Sequence, residues 1–300
     1  MIKIAILVII FCSNSFASEL VNFTFLGTGT PRPDINKLGP SILVAYKNEE
    51  ILLDIGRGTT VRLAQVGNNF SSINNIYISH MHFDHLIGLP DFWLISNLWQ
   101  KKTSTNIFGP KGIQDFCNNI KKAYKEDLDY RYNKKEVSQI NCYDFGNHNF
   151  LSESLIKVKS FKNSHGHIEN SYGLMVKVNG KTIVYSGDTS YSDNVIKSCK
   201  QCDILIHEVI AVSSILYKNN KKLRDVVDTH TNVKQLVKVL NSTNPKLTIL
   251  NHALLFGITE EQVIREIQES YSGDVVFAYD LLSVDVGKEI NTFNLNKQIK

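Results

Sequence analysis

The segment Ser79-His80-Met81-His82-Phe83-Asp84-His85 constrains this chain more than any other. It sets four metal-ligating side chains, His80, His82, Asp84 and His85, in one short stretch. The preceding residues Asn75 to Ser79 read as a strand, so His80 and His82, two apart at its end, point the same way. Asp84 and His85 then stand on the turn into a helix expected from Asp84 to Trp99, and can swing to the opposite side. Neutral imidazoles and a carboxylate form the donor set that zinc prefers. A fold that uses this segment must end a strand there and bring further donors to it from elsewhere. His167 before a strand, Asp188 in Ser186-Gly187-Asp188-Thr189 after a strand, and His252 at the end of a strand are the candidates. Each stands at a strand terminus, where a rigid sheet can aim a side chain.

Alternating apolar and polar residues mark the strands. They are expected at Val21–Leu26, Ser41–Tyr46, Ile51–Asp54 and Asn75–Ser79, then at Ser154–Phe161, Ser171–Val178 and Lys181–Ser186, the last two joined by an Asn179-Gly180 hairpin turn. Further strands are expected at Asp203–Glu208, Leu247–Asn251, Val275–Tyr279 and Leu282–Val286. Helices are expected at Thr59–Gln65 and Asn232–Leu240, and from a Thr259/Gln262 capping box to Tyr271. Strands open each half, with helices between and after them, so the fold class is α/β, two sheets packed face to face with helices outside. No Gly/Ser-rich linker divides the chain, which reads as one domain over residues 18–300.

The first 17 residues read differently. Met1-Ile2-Lys3, an apolar run from Ile4 to Phe11, and Ser15-Phe16-Ala17 have the charge, apolar core and small cleavage residues of an export signal. The apolar run is shorter than the roughly 18 residues that a spanning helix requires. The expected location is therefore periplasmic or secreted, with no membrane partner. There, Cys117, Cys142, Cys199 and Cys202 are free to form one or two bridges. Cys199-x-x-Cys202 lacks a second pair and is read as a local disulfide or as plain thiols, in preference to a zinc or redox site. With 33 Lys+Arg against 29 Asp+Glu, the formal net charge of +4 is too mild for a dedicated nucleic-acid surface.

H-x-H-x-D-H, a later His, the Asp of Ser-Gly-Asp-Thr and a His near the end resemble the metallo-β-lactamase fold superfamily of binuclear hydrolases. Phe25-Leu26-Gly27-Thr28-Gly29-Thr30-Pro31-Arg32-Pro33 and Asp228-Thr229-His230-Thr231 are similar to the branch that holds ribonuclease Z and the zinc-dependent arylsulfatases. Gly39-Pro40-Ser41 and Leu53-Asp54-Ile55-Gly56-Arg57-Gly58-Thr59-Thr60 are most similar to the arylsulfatase-like members. The resemblance implies a four-layer αββα metallo-β-lactamase sandwich and two zinc ions, for which manganese or iron can substitute. By that resemblance His80, His82 and His167 bind one metal, Asp84, His85 and His252 the other, and Asp188 bridges them. His167 is taken ahead of the neighbouring His165 because the family's ligand precedes a glycine, matched here by Gly173, by six residues. Asp54 would hold the free ring N–H of a ligand histidine. His230, supported by Glu208, resembles the family's proton-donating pair, and joins Asp84 as a catalytic residue; His207 is read as structural.

The interval from His167 to Asp188 holds only a hairpin, with no room for the arm with which ribonuclease Z usually grips transfer RNA. The expected substrate is thus a small anionic ester, a phosphodiester or an aryl sulfate, in place of nucleic acid, and a homodimer is allowed. A lactonase or thioesterase of the same superfamily, an armless ribonuclease Z-like nuclease and a non-catalytic periplasmic metal-binding protein are the competing readings. Arg57 is considered for anion steering, and Phe92, Trp93 and Trp99 for lining a cleft.

Overall fold

The computed structural model describes residues 20–132, 137–145 and 154–297. The export signal expected over residues 1–17 lies outside them. The first half runs β1 (Val21–Gly27), β2 (Ser41–Tyr46), β3 (Glu49–Leu53), α1 (Thr59–Gln65), β4 (Ile73–Tyr77), α2 (Phe83–Leu86), α3 (Leu89–Leu98), β5 (Thr105–Gly109), α4 (Ile113–Ala123), α5 (Lys125–Arg131) and β6 (Ile140–Asp144). The second runs β7 (Lys157–Lys162), β8 (Tyr172–Val178), β9 (Lys181–Tyr185), α6 (Asp193–Ser198), β10 (Ile204–Val212), α7 (Ser214–Asn219), α8 (Lys221–Thr229), α9 (Val233–Thr243), β11 (Leu247–Phe256), α10 (Glu260–Gln268), β12 (Val275–Phe277), β13 (Leu282–Val286) and β14 (Ile290–Asn294).

An eight-stranded sheet in the order β14-β13-β1-β2-β3-β4-β5-β6 faces a six-stranded one in the order β12-β11-β10-β9-β8-β7. Alternation along the strands decides which layer each side chain enters. In β3, Ile51 and Leu53 point between the sheets, and Leu52 points outward to α1, α3 and α4. In β10, Ile204 and Ile206 point inward, while Leu205 faces α6, α9 and α10. Each such fully buried aliphatic side chain is worth about 1.5–3 kcal/mol. The result is the four-layer αββα sandwich.

The helix expected from Asp84 to Trp99 is two helices. Gly88 separates them because the chain there lies against the loop after β3: a Cβ on Gly88 would sit 2.3 Å from the Gly56 carbonyl oxygen. Gly56 is as tightly placed, since its own Cβ would lie 2.5 Å from the Asp84 carbonyl oxygen. Two side-chain-free positions thus let the donor segment rest directly on the end of β3. The segment around β5, α4, α5 and β6, the α7–α8 pair and β14 were not anticipated. For α4 a signal existed, since Ile113, Cys117 and Ile120 recur at helical spacing and are the residues it buries.

Both cysteine pairs are bridged: Cys117 of α4 to Cys142 of β6, and Cys199 to Cys202 after α6. The first bridge ties a helix of the outer layer to an edge strand across a sequence separation of 25. Replacing Cys117 and Cys142 together with Ala should lower stability by roughly 2–4 kcal/mol, read as a fall in the denaturant midpoint. A midpoint equal to that of the wild type would show that the bridge does not form.

Candidate metal centre

The centre lies where strand ends from both sheets meet. Asp54 follows β3 with φ 56, a left-handed conformation that Asp tolerates better than most residues. Its buried carboxylate accepts four hydrogen bonds: from the Ser79 backbone N–H (2.7 Å), the Ser79 hydroxyl (2.8 Å), the Tyr185 hydroxyl (2.7 Å) and His85 Nδ1 (2.8 Å). With its Nδ1 proton donated to Asp54, His85 turns Nε2 toward the centre. The effect reaches one residue further. Because the Ser79 hydroxyl donates to Asp54, its oxygen accepts from His80 Nδ1 at 3.0 Å, leaving His80 Nε2 as a lone pair. His165 is set the same way, its Nδ1 donating to the Thr229 carbonyl at 2.8 Å.

Three overlapping donor groups result, each with its ligating atoms within 4.8 Å of one another: His80, His82, His165 and Asp188; Asp84, His85 and His252; and Asp188, His230 and His252. His80 Nε2 and His165 Nε2 converge on His82 Nδ1 at 3.0 and 3.3 Å. His252 Nε2 lies 3.3 Å from Asp84 Oδ2, and His85 Nε2 lies 3.5 Å from the same oxygen. Asp188 stands between the groups, 3.8 Å from His80 Nε2, 3.5 Å from His85 Nε2 and 3.4 Å from His252 Nδ1.

His167 is the correction. The structure brings His165 into the cluster and leaves His167 exposed. Gly166 (φ 55) makes a tight turn in which the Ile168 N–H bonds back to the His165 carbonyl at 3.0 Å, so His165 is tucked under and His167 occupies the tip. The strand at His252 also differs, since β11 continues past it to Phe256. His252 takes φ 49 within β11, beside a register shift between His207 and Val209 of β10, and the irregularity turns its ring into the centre.

Ions fit here. Asp84 Oδ1, Asp188 Oδ1, His85 Nε2 and His252 Nδ1 are buried without a hydrogen-bond partner, a costly arrangement for protein alone and the expected one for metal ligands. Burial above all, reinforced by the neighbouring rings, holds His80, His82 and His165 below the ordinary histidine range, in the neutral form that ligates. At His85 burial opposes charging, but the carboxylates of Asp188 and Asp54 outweigh it and hold the ring well above that range. The pocket therefore draws positive charge into itself.

His230 caps the C-terminus of α8, with Nδ1 on Glu208 Oε1 at 3.0 Å. That oxygen also accepts the backbone N–H groups of Thr189 and Thr231, each at 3.1 Å, which fixes Glu208 under the imidazole. Burial lowers the His230 pKa, yet Glu208 more than compensates and pushes it up to about 9, so the ring is protonated at neutral pH. His82, His165, Asp188, His230 and His252 line one end of a cleft of about 680 Å³. Its other walls are α7, α8, the Pro31–Arg32 loop and the end of β11. Phe92 and Trp93 are buried in the outer core, Trp99 packs on Phe70, and neither these three nor Arg57 lines the cleft. His207 is buried with Nδ1 on the Glu208 carbonyl. Tyr185, the Thr229 carbonyl and Arg32 were not anticipated as parts of the site, although Arg32, within the glycine- and proline-rich loop, and Thr229, beside His230, stood in stretches already singled out.

A family model described as Anti-Pycsar protein Apyc1 matches residues 21–252. Ribonuclease Z of Mycobacterium bovis (strain BCG / Pasteur 1173P2) is 24% identical over 276 residues, 89% of this chain and 99% of that protein. Among solved structures, the metallo-beta-lactamase fold protein YhfI from Bacillus subtilis aligns with a TM-score of 0.69 and 17% identity over 89% of this chain and 100% of its own. Human tRNase Z, short form, aligns with a TM-score of 0.66 and 22% identity over 89% and 99%. The fold is that of the metallo-β-lactamases.

Metal analysis separates the two histidines. His165→Ala should bind less metal than wild type, and His167→Ala should bind the same amount; equal loss in both would return His167 to the centre. Asp54→Ala, which frees the His85 ring, should weaken metal binding about 10–100-fold without removing a ligand.

Proposed function

The chain belongs to the family described as Anti-Pycsar protein Apyc1, and we propose that it is a metal-dependent hydrolase of small anionic esters, phosphodiesters before aryl sulfates. The metallo-β-lactamase fold, the donor clusters and the ribonuclease Z relatives support a metallo-hydrolase in general. One observation carries the finer reading: a buried donor cluster and the hydrogen-bonded His230–Glu208 pair stand at the same cleft. His80, His82, His165 and Asp188 would hold one ion, and Asp84, His85 and His252, with Asp188 shared, a second; zinc suits the set. Such ions, when bound, supply Lewis acidity and lower the pKa of water.

The chain's own residues do the rest. Asp54, Ser79 and the Thr229 carbonyl fix the ring tautomers in advance. His230 holds a proton on Nε2, the nitrogen left free by Glu208, and can give it to a departing oxygen. An aryl sulfate or p-nitrophenyl ester needs that proton least, an alkyl phosphodiester most, so a built acid favours phosphodiesters. The interval from His165 to Asp188 consists of β8, a turn and β9 with no projecting element, which supports small substrates over transfer RNA. Work outside the cytoplasm belongs to the same proposal, supported by two disulfides that an oxidising compartment favours.

The test is His230→Ala on esters of graded leaving group. Turnover of alkyl phosphodiesters should fall roughly 10²–10⁴-fold, and that of bis-p-nitrophenyl phosphate much less, with bound metal unchanged. Glu208→Gln should show a weaker version of the same trend. Equal losses across the series, or lost metal, would remove His230 as the acid. A panel that adds p-nitrophenyl sulfate, cyclic nucleotides and a lactone tests the substrate class itself.

A further inference from the structure

The cleft reaches well beyond the donor cluster, and its outer end has its own chemistry. The Arg32 guanidinium lies over the Phe256 ring, 4.5 Å from its centroid. That stacking occupies one face of the guanidinium and leaves the N–H donors on its edge free. Lys222, in the first turn of α8, lines the cleft as well. Among the described residues neither Arg32 nor Lys222 has an ion-pair partner, and Asp188, at the metal end, is the only carboxylate in the cleft wall. Leu216, Val226 and Leu254 supply an apolar stretch of wall.

Arg32 is carried by a braced loop. Asp280, 3% exposed, accepts the Thr28 N–H, the Thr28 hydroxyl and the Leu38 N–H, each at 2.9 Å. It also pairs with Arg62 at 2.9 Å. The Gly29 N–H donates to the Leu38 carbonyl at 2.7 Å, pinching the loop at its base. A buried ion pair and a closed base are a costly way to hold an exposed arginine unless its position matters. Lys222 is similarly placed by its neighbours, as Asn220 caps α8 and Leu223 is the residue that α8 buries.

We propose that Arg32 and Lys222 form a second anion subsite, so that the preferred esters carry a further carboxylate or phosphate beyond an apolar spacer. This rests on the hydrolase reading only for the word ester; the subsite itself is a binding property. Two unpaired cations lining one cleft suit a single anionic group, to which the planar Arg32 fork can donate two parallel hydrogen bonds.

The experiment is calorimetric titration of the purified protein with ω-carboxyalkylphosphonates of increasing chain length, each against the alkylphosphonate of equal length. At one or two lengths the carboxylated compound should bind about tenfold tighter than its plain partner. In Arg32→Gln that ratio should fall to near one, in Lys222→Gln it should shrink, and Arg32→Lys, which keeps the charge but loses the fork, should lie between. Added salt should reduce the ratio. The subsite is overturned if no length shows an advantage, if the advantage survives in Arg32→Gln, or if neither series binds. Hydrolysis of bis-p-nitrophenyl phosphate is scored separately. Turnover without a length-dependent advantage overturns the subsite alone, and an advantage without turnover of any ester overturns the hydrolase reading alone.

Discussion

The Asp54 carboxylate is the interaction on which the centre depends. It is completely buried, and an unpaired buried carboxylate would be prohibitively costly, so its four donors are an obligation as much as an arrangement. Those donors come from the segment after β4, from α2 and from the end of β9. One anion therefore ties strand ends of one sheet to a strand end of the other, and the same contacts choose the Nδ1 partners of His85 and, through Ser79, of His80. Packing of the sandwich brings the strand ends close; this anion decides which nitrogen each ring presents.

Most of the fold could be read from alternation, because in a four-layer sandwich every inward residue of a strand meets an apolar neighbour in one sheet or one helix layer. Val21, Phe23 and Phe25 on β1, or Ile204 and Ile206 on β10, announce their faces in the sequence. What alternation does not show is where a strand stops being regular. β11 runs on through His252 because a bulge absorbs the turn of its ring, and no residue there signals a bulge. The break between α2 and α3 was similarly hidden, since Gly88 is needed for a contact with Gly56, 32 positions earlier in the chain.

The centre divides along the same line. His80, His82, Asp84 and His85 are adjacent in sequence, so local geometry suffices to group them. Asp54, Asp188, His230 and Glu208 were legible through the motifs around them, and the structure brings each into the site. Motif spacing to Gly173 pointed to His167, and the structure places His165 in the centre instead. Both precede Gly173, and the choice is made by a turn at Gly166 and by a carbonyl at Thr229, contributed from 64 residues away. Arg32 needed the third dimension altogether, because its partner Phe256 and its brace Asp280 come from the far end of the chain.

Electrostatics explains why the cleft should have two positive ends. Asp54, Asp84, Asp188 and Glu208 are all buried within or beside the centre. The ring protons of His85 and His230 offset part of that charge, but Asp84 and Asp188 keep oxygens without partners. Without ions, the inner end would repel an anionic ester; with ions, it attracts one. Arg32 and Lys222 are independent of that switch, since they stand at the outer end and face no carboxylate of the cleft wall except Asp188 at its inner end. The outer cations can thus draw an anion toward the cleft whatever the state of the centre, whereas its retention beside His230 depends on the centre being loaded. Attraction and reaction are in this way assigned to different ends of one cleft, and the apolar wall between them sets how far apart the two charges of a substrate must be.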